Sequence, residues 1–251
     1  MKTVHLKHIE LGAGVPKIAV PLVAKDSDGL LQAVAAVRQV GADIVEFRAD
    51  FLENAGNVDF VLAQTALVRE ALPDTPLLFT FRRSAEGGSF PCSDSDYFAL
   101  LQRVAVSGLI DMLDIELFAG KAGVQQTIAA AKAVGVAVLL CNHDFQATPP
   151  QPEITGRLKS MAELGADVCK IAVMPQSADD VLTLLAATAE ARKAIDCPIV
   201  TMSMGKLGAI SRLAGQTFGS AMTFGTAGQE SAPGQIPADK LREILAALSL
   251  G

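Results

Sequence analysis

The sequence predicts a closed (β/α)8 TIM barrel, and three observations carry that expectation. Short β-branched runs alternate with longer Ala/Leu-rich segments of helical period along the chain, the pattern of repeated βα units. Eight such runs can be counted, the number that closes a barrel. A length of 251 residues with 50% hydrophobic residues suffices to bury one large core, so residues 1–251 are expected to form a single domain.

The predicted strands, in order, are KIAVPLV (17–23), DIVEFRA (43–49), PLLFTFR (76–82), DMLDIEL (111–117), VAVLLCN (136–142), DVCKIAV (167–173), PIVTMSM (198–204) and AMTFG (221–225). Between them, SDGLLQAVAAVRQVG, DYFALLQRVAVSG, EITGRLKSMAELG and ADDVLTLLAATAEARKA read as amphipathic helices, several stopped by a glycine suited to a helix C-terminus. The extra N-terminal piece TVHLKHIELG alternates like a strand and is expected to close the barrel floor.

Charge and composition exclude several classes of partner. A formal net charge of −6 disfavours nucleic acid and anionic membrane surfaces, which leaves a small molecule as the expected partner. The four cysteines Cys92, Cys141, Cys169 and Cys197 contain no CxxC pair, as expected for reduced thiols of a cytoplasmic protein. The N-terminus has no long apolar h-region, so no signal peptide is expected, and no run is long and apolar enough for a membrane helix.

Active sites in this fold lie at the C-terminal ends of the strands. Placed there by the predicted strands are Glu46 and Arg48, Arg82 with Glu86 just beyond it, Asp114 and Glu116, His143, Lys170, and Arg212 in the short helix after the seventh strand. An acidic chain thus gathers three arginines and a lysine at one end of its barrel, which suits a small carboxylate or phosphate.

Lys170 stands inside an otherwise apolar strand. An amine buried beside other cations is favoured in its neutral form, which attacks ketones and aldehydes, so a Schiff base is one reading. The other is a packed stem whose ammonium pairs with Glu46 or Glu116. His143 ends the neighbouring strand and can move protons near neutral pH, although a core histidine bonded to a carbonyl is the ordinary alternative. NHDF offers no second histidine at a metal-binding spacing, so no metal is expected. Glu46 and Arg48, two residues apart, face the same side and can pair with each other or with a ligand. The segment FGTAGQESAPGQIP after the last strand reads as a lid or, more weakly, a phosphate-binding glycine loop, and Met202 and Met204 read as adaptable packing.

Across nearly its whole length the chain resembles type I 3-dehydroquinate dehydratase. The motifs that carry the resemblance are EFRAD (46–50), FTFR (79–82), DIEL (114–117), NHDF (142–145), KIAVMPQS (170–177), TMSMG (201–205), SRLAG (211–215) and SAPGQI (231–236). The resemblance implies dehydration of 3-dehydroquinate to 3-dehydroshikimate, a shikimate-pathway lyase reaction, without cofactor or metal, in a homodimer. It implies that Lys170 forms the imine, that His143 shuttles the proton and that Glu86 tunes it. Arg212 would bind the carboxylate, Glu46, Arg48 and Arg82 would bind ring hydroxyls and order the site, Ser231 and Gln235 would close over the substrate, and Met202 and Phe224 would form apolar walls. The family often has a serine where this chain has Pro21, so one substrate contact is expected to be missing. A class I aldolase acting on a sugar phosphate and a non-catalytic binding barrel are the rival readings, the first requiring a phosphate site after the last two strands.

Overall fold

The computed structural model describes residues 2–228 and 230–250, so Met1, Gln229 and Gly251 of the expected 1–251 domain lie outside the described residues. All eight predicted barrel strands form. After the short strands β1 (Val4–Leu6) and β2 (Ile9–Leu11) come β3 (Lys17–Leu22), β4 (Ile44–Arg48), β5 (Leu77–Thr80), β6 (Met112–Glu116), β7 (Ala137–Asp144), β8 (Val168–Val173), β9 (Ile199–Ser203) and β10 (Met222–Thr226). A two-residue strand, β11 (Ile236–Pro237), adds parallel to β10.

From β3 to β9 each strand pairs in parallel with the next, and β10 returns to pair with β3. The Ile199–Ser220 bridge joins the remaining two edges, so the sheet curls into the TIM barrel. Helices cover its outside. The first, Ser27–Val40, shows why these segments start and stop where they do. Asp26 caps it by accepting from Gly29 N, Leu30, Val34 and Val37 lie on its buried stripe, and Gly41 ends it at φ 62°.

The twofold alternation of each strand sorts its residues between two cores. In β8, Cys169, Ile171 and Val173 face the helical layer, whereas Val168, Lys170 and Ala172 face the barrel axis. In β4, Val45 and Phe47 face out, leaving Ile44, Glu46 and Arg48 inside. Lys170 and Glu46 are therefore interior residues by the same periodicity that makes their neighbours core.

The N-terminal segment closes the barrel floor as expected, but as a β1–β2 hairpin rather than one strand. Its turn uses Lys7 at φ 52°, and it buries Leu6 and Leu11 against the apolar lower layer of the barrel. Pro21 lies beyond the last β3–β10 pair, Ala19 with Phe224, where the ladder to that neighbour has ended and a missing N–H is tolerated.

Candidate active site

A cavity of about 470 Å³ opens at the C-terminal ends of the strands. Glu46, Arg48, Arg82, Glu86, His143, Lys170, Met202, Arg212, Phe224, Ser231 and Gln235 line it, whereas Asp114 and Glu116, also placed at the strand ends by the sequence, lie buried behind Arg82. Lys170 is 3% exposed, and its Nζ sits 4.4 Å from the centroid of the Phe224 ring. Among the described residues no carboxylate lies within ion-pairing distance of that amine, so the pairing with Glu46 or Glu116 does not form. Both carboxylates are taken elsewhere: Thr80 Oγ1 donates to Glu46 at 3.0 Å, and Arg82 and Arg83 hold Glu116.

His143 and Glu86 form a pair. His143 Nδ1 lies 3.0 Å from Glu86 Oε2, which also accepts the backbone N–H of His143 at 2.9 Å. Asn142 Nδ2 donates to the other oxygen at 3.2 Å, and Arg157 fixes the orientation of that amide by donating to its oxygen. Burial lifts the Glu86 carboxyl to about 7, although Arg82 opposes the shift. Burial, followed by the charges of Arg82, Lys170 and Arg48, holds the His143 imidazole well below its ordinary range. A neutral histidine with Nδ1 facing a carboxylate leaves Nε2 as its free basic atom.

A raised carboxyl pKa has a stability consequence whose sign is opposite to that of an ion-paired carboxylate. The folded state takes up the Glu86 proton from about pH 7 downward, the unfolded state only near its reference 4.5. Stability therefore falls as pH rises through that window, by an amount on the order of 3 kcal/mol. Glu86→Gln should remove this dependence, so the melting temperature of the parent relative to the variant should be higher near pH 5 than near pH 8. Parallel melting curves with the same offset at both pH values would contradict the buried-carboxyl assignment.

Arg82 is committed to the protein rather than free for a ligand. Its Nη2 donates to Asp114 at 2.9 Å and its Nη1 to Glu116 at 3.1 Å, with Cys141 Sγ at 2.9 Å and Glu86 at 4.0 Å. These carboxylates raise its pKa against the opposing effect of burial. Arg82 therefore orders the ends of β6 and β7 and contributes positive charge, while Asp114 and Glu116 serve as its counter-ions. Glu86, Cys141 and His143 present possible ligand atoms within 4.8 Å of one another, but Arg82 sets a positive charge against any cation there.

Glu46 and Arg48 share a face, but they do not pair. Arg48 instead makes a two-pronged ion pair with Asp50, Nε to Oδ1 and Nη2 to Oδ2, both at 2.8 Å. Asp50 lies in the EFRAD motif but received no role from the sequence; an acid two positions after a strand-end arginine was the signal that could have given it one. Arg212 differs from both other arginines. It is 1% exposed, has no carboxylate partner, and its Nε finds no hydrogen-bond acceptor among the described residues. Burial pushes its pKa down to about 10, with Glu230 opposing. A bond from Nη2 to Pro233 O at 3.1 Å ties it to the lid.

The segment after β10 does lie over the mouth. Gly205 N donates to Pro233 O at 3.1 Å, Arg48 Nη1 to Ser231 O at 3.3 Å, and Ser231 and Gln235 bond to each other at 2.9 and 3.2 Å. Gly234 has φ 77°, and a Cβ there would stand 2.4 Å from Gly205 O, so only glycine permits this seating. Gln229 of the same segment is outside the described residues.

Residues 18–251 match the family model described as type I 3-dehydroquinase. The 3-dehydroquinate dehydratase of Neisseria gonorrhoeae is 57% identical over 246 residues, covering 98% of this chain and 97% of the relative, and that of Shigella dysenteriae is 49% identical over 99% of each. A solved type I 3-dehydroquinate dehydratase from Clostridium difficile, with covalently modified comenic acid, superposes with a TM-score of 0.96 at 44% identity over 98% of each chain. The Geobacillus kaustophilus 3-dehydroquinate dehydratase gives 0.95 at 38% identity, covering 98% of this chain and 96% of that one.

Proposed function

The chain belongs to the type I 3-dehydroquinase family and is a hydro-lyase with 3-dehydroquinate dehydratase activity; from that premise we propose that residues 1–251 act as one catalytic domain that works through an imine on Lys170, with His143 as the proton shuttle. The observation that carries the reading is an interior lysine with an aromatic face beneath it, no carboxylate partner, and a histidine at the end of the adjacent strand. These surroundings set the amine at the end of the cavity with its nitrogen open to a carbonyl carbon and a proton carrier beside it.

Lys170 Nζ adds to the C3 ketone, and loss of one water gives the imine. The imine withdraws electrons from C2, His143 Nε2 takes the C2 proton, and the electron pair passes into an enamine. Collapse of the enamine expels the C1 hydroxyl, which leaves as water with the proton returned by His143. Hydrolysis of the product imine consumes one water and releases the conjugated enone and free Lys170. The covalently modified ligand of the Clostridium difficile relative supports a site of this kind.

Arg212 is the best candidate to hold the substrate carboxylate, because this buried arginine has no anionic partner among the described residues and retains an unused Nε donor there. Arg212→Lys keeps the charge but loses the planar fork, so KM should rise by roughly 10- to 100-fold with kcat changed far less, as expected for loss of a charge-assisted hydrogen bond. Steady-state kinetics by product enone absorbance would check this; an unchanged KM would move the carboxylate elsewhere. Glu46 and Arg48 face the ring hydroxyls, Arg82 orders the site, Met202 and Phe224 form the apolar walls, and Ser231 and Gln235 close the lid.

The same reading takes the enzyme to be cytoplasmic and homodimeric. The four free cysteines suit a reducing compartment, and sedimentation velocity would test the dimer. The imine itself is tested by borohydride reduction with and without 3-dehydroquinate, followed by peptide mass mapping. A substrate-dependent adduct on the peptide containing Lys170 is expected. Full activity with no adduct anywhere would mean elimination without an imine.

A further inference from the structure

The hydrogen bonds of Asp50 join the end of β4 to the turn after Glu86, and through Arg48 they reach the lid. Asp50 is 1% exposed, and both of its carboxylate oxygens are used. Oδ1 accepts from Arg48 Nε, while Oδ2 accepts from Arg48 Nη2 and from Ser89 N at 3.1 Å. Ser89 stands just beyond Glu86, in a turn whose backbone presses so closely on Arg82 that a Cβ at Gly88 would lie 1.7 Å from Arg82 O. The guanidinium of Arg48 rests 4.7 Å from the centroid of the Phe51 ring, which fixes its plane.

A planar fork gripped on two nitrogens has one left. That nitrogen, Arg48 Nη1, points to the lid and donates to Ser231 O. We propose that Asp50 is a positioning residue for this reaction: by holding the Arg48 fork and the Glu86–Ser89 turn together, it fixes the one arginine nitrogen that must serve both the substrate and the closed lid. Asp50 does not line the cavity and so acts through Arg48. Its effect belongs to substrate capture rather than to proton transfer, because a guanidinium free to rotate would have to be ordered anew at each binding event. The inference rests on the reading of this cavity as the 3-dehydroquinate site.

Asp50→Asn keeps the shape of the side chain but turns an amide N–H toward the arginine. KM for 3-dehydroquinate is expected to rise by roughly 10- to 100-fold, with kcat within about 3-fold of the parent. In an Arg48→Ala background the same substitution should change kcat/KM by less than about 3-fold, since the group it positions is gone. An unchanged KM in Asp50→Asn would overturn the proposal, and so would an equal loss in the Arg48→Ala background, which marks a general structural role. Should Asp50→Asn fail to fold, Arg48→Lys keeps an ion pair with Asp50 while losing the fork; it should raise KM to a similar extent, and parental kinetics would overturn the proposal. These readouts follow product formation alone, so they stand apart from borohydride trapping, whose failure would strike at the imine and not at Asp50.

Discussion

Lys170→Ala should lose roughly 10⁴-fold or more in kcat while the barrel remains folded, because one substitution removes the proposed electron sink for every turnover. Without the imine, the C2 proton must leave a neutral ketone, and the developing charge has no cationic nitrogen to receive it. Binding should survive better than chemistry, since Arg212 and the lid stay in place. The fold should not suffer: the parent buries this amine to 3% exposure with no carboxylate partner among the described residues, and its removal relieves a desolvation cost. Three measurements check this together: the rate of enone formation at saturating substrate, the melting temperature, and borohydride labelling, which the variant should lack. A variant within tenfold of the parent rate would end the imine proposal.

His143→Ala should cost roughly 10²- to 10⁴-fold in kcat, the range for a positioned general acid–base group. Unlike the lysine variant, it should still accumulate a borohydride-trappable adduct, because the Lys170 amine and the carboxylate site are intact. The pH profile adds a second signature. With the imidazole held well below its ordinary range and the Glu86 carboxyl near 7, the pair is ready to accept a proton at neutral pH, and activity falls as acid fills it. That acidic limb belongs to the coupled pair. It should flatten in His143→Ala and shift in Glu86→Gln. A His143→Ala enzyme with the parental pH profile would reassign the shuttle to another group.

Much of this protein was legible in its sequence, for reasons that the strands make plain. In DVCKIAV the twofold alternation that turns Cys169, Ile171 and Val173 toward the helices must turn Lys170 toward the axis. The same rule aligned Glu46 with Arg48, and the strand-end rule of barrels gathered His143, Arg82 and Glu86 with them. The floor segment was legible only in part. Its alternation predicted a strand, but nothing in TVHLKHIELG announced that Lys7 would turn the chain at φ 52° into a hairpin.

Partnership was not legible. Arg48, Arg82 and Arg212 read alike as mouth arginines, yet the first is gripped by Asp50, the second is consumed by Asp114 and Glu116, and the third pairs with no anion among the described residues. Likewise Glu46 and Glu116 were equal candidates to neutralise Lys170, and neither does. The sequence by itself determined the order of strands and helices, which face each strand residue takes, and the set of groups delivered to the mouth, because these follow from local periodicity. Which of those groups neutralise one another was decided only by the tertiary structure, since ion pairing depends on strand register and side-chain reach across the barrel, and those distances do not exist until the sheet has closed.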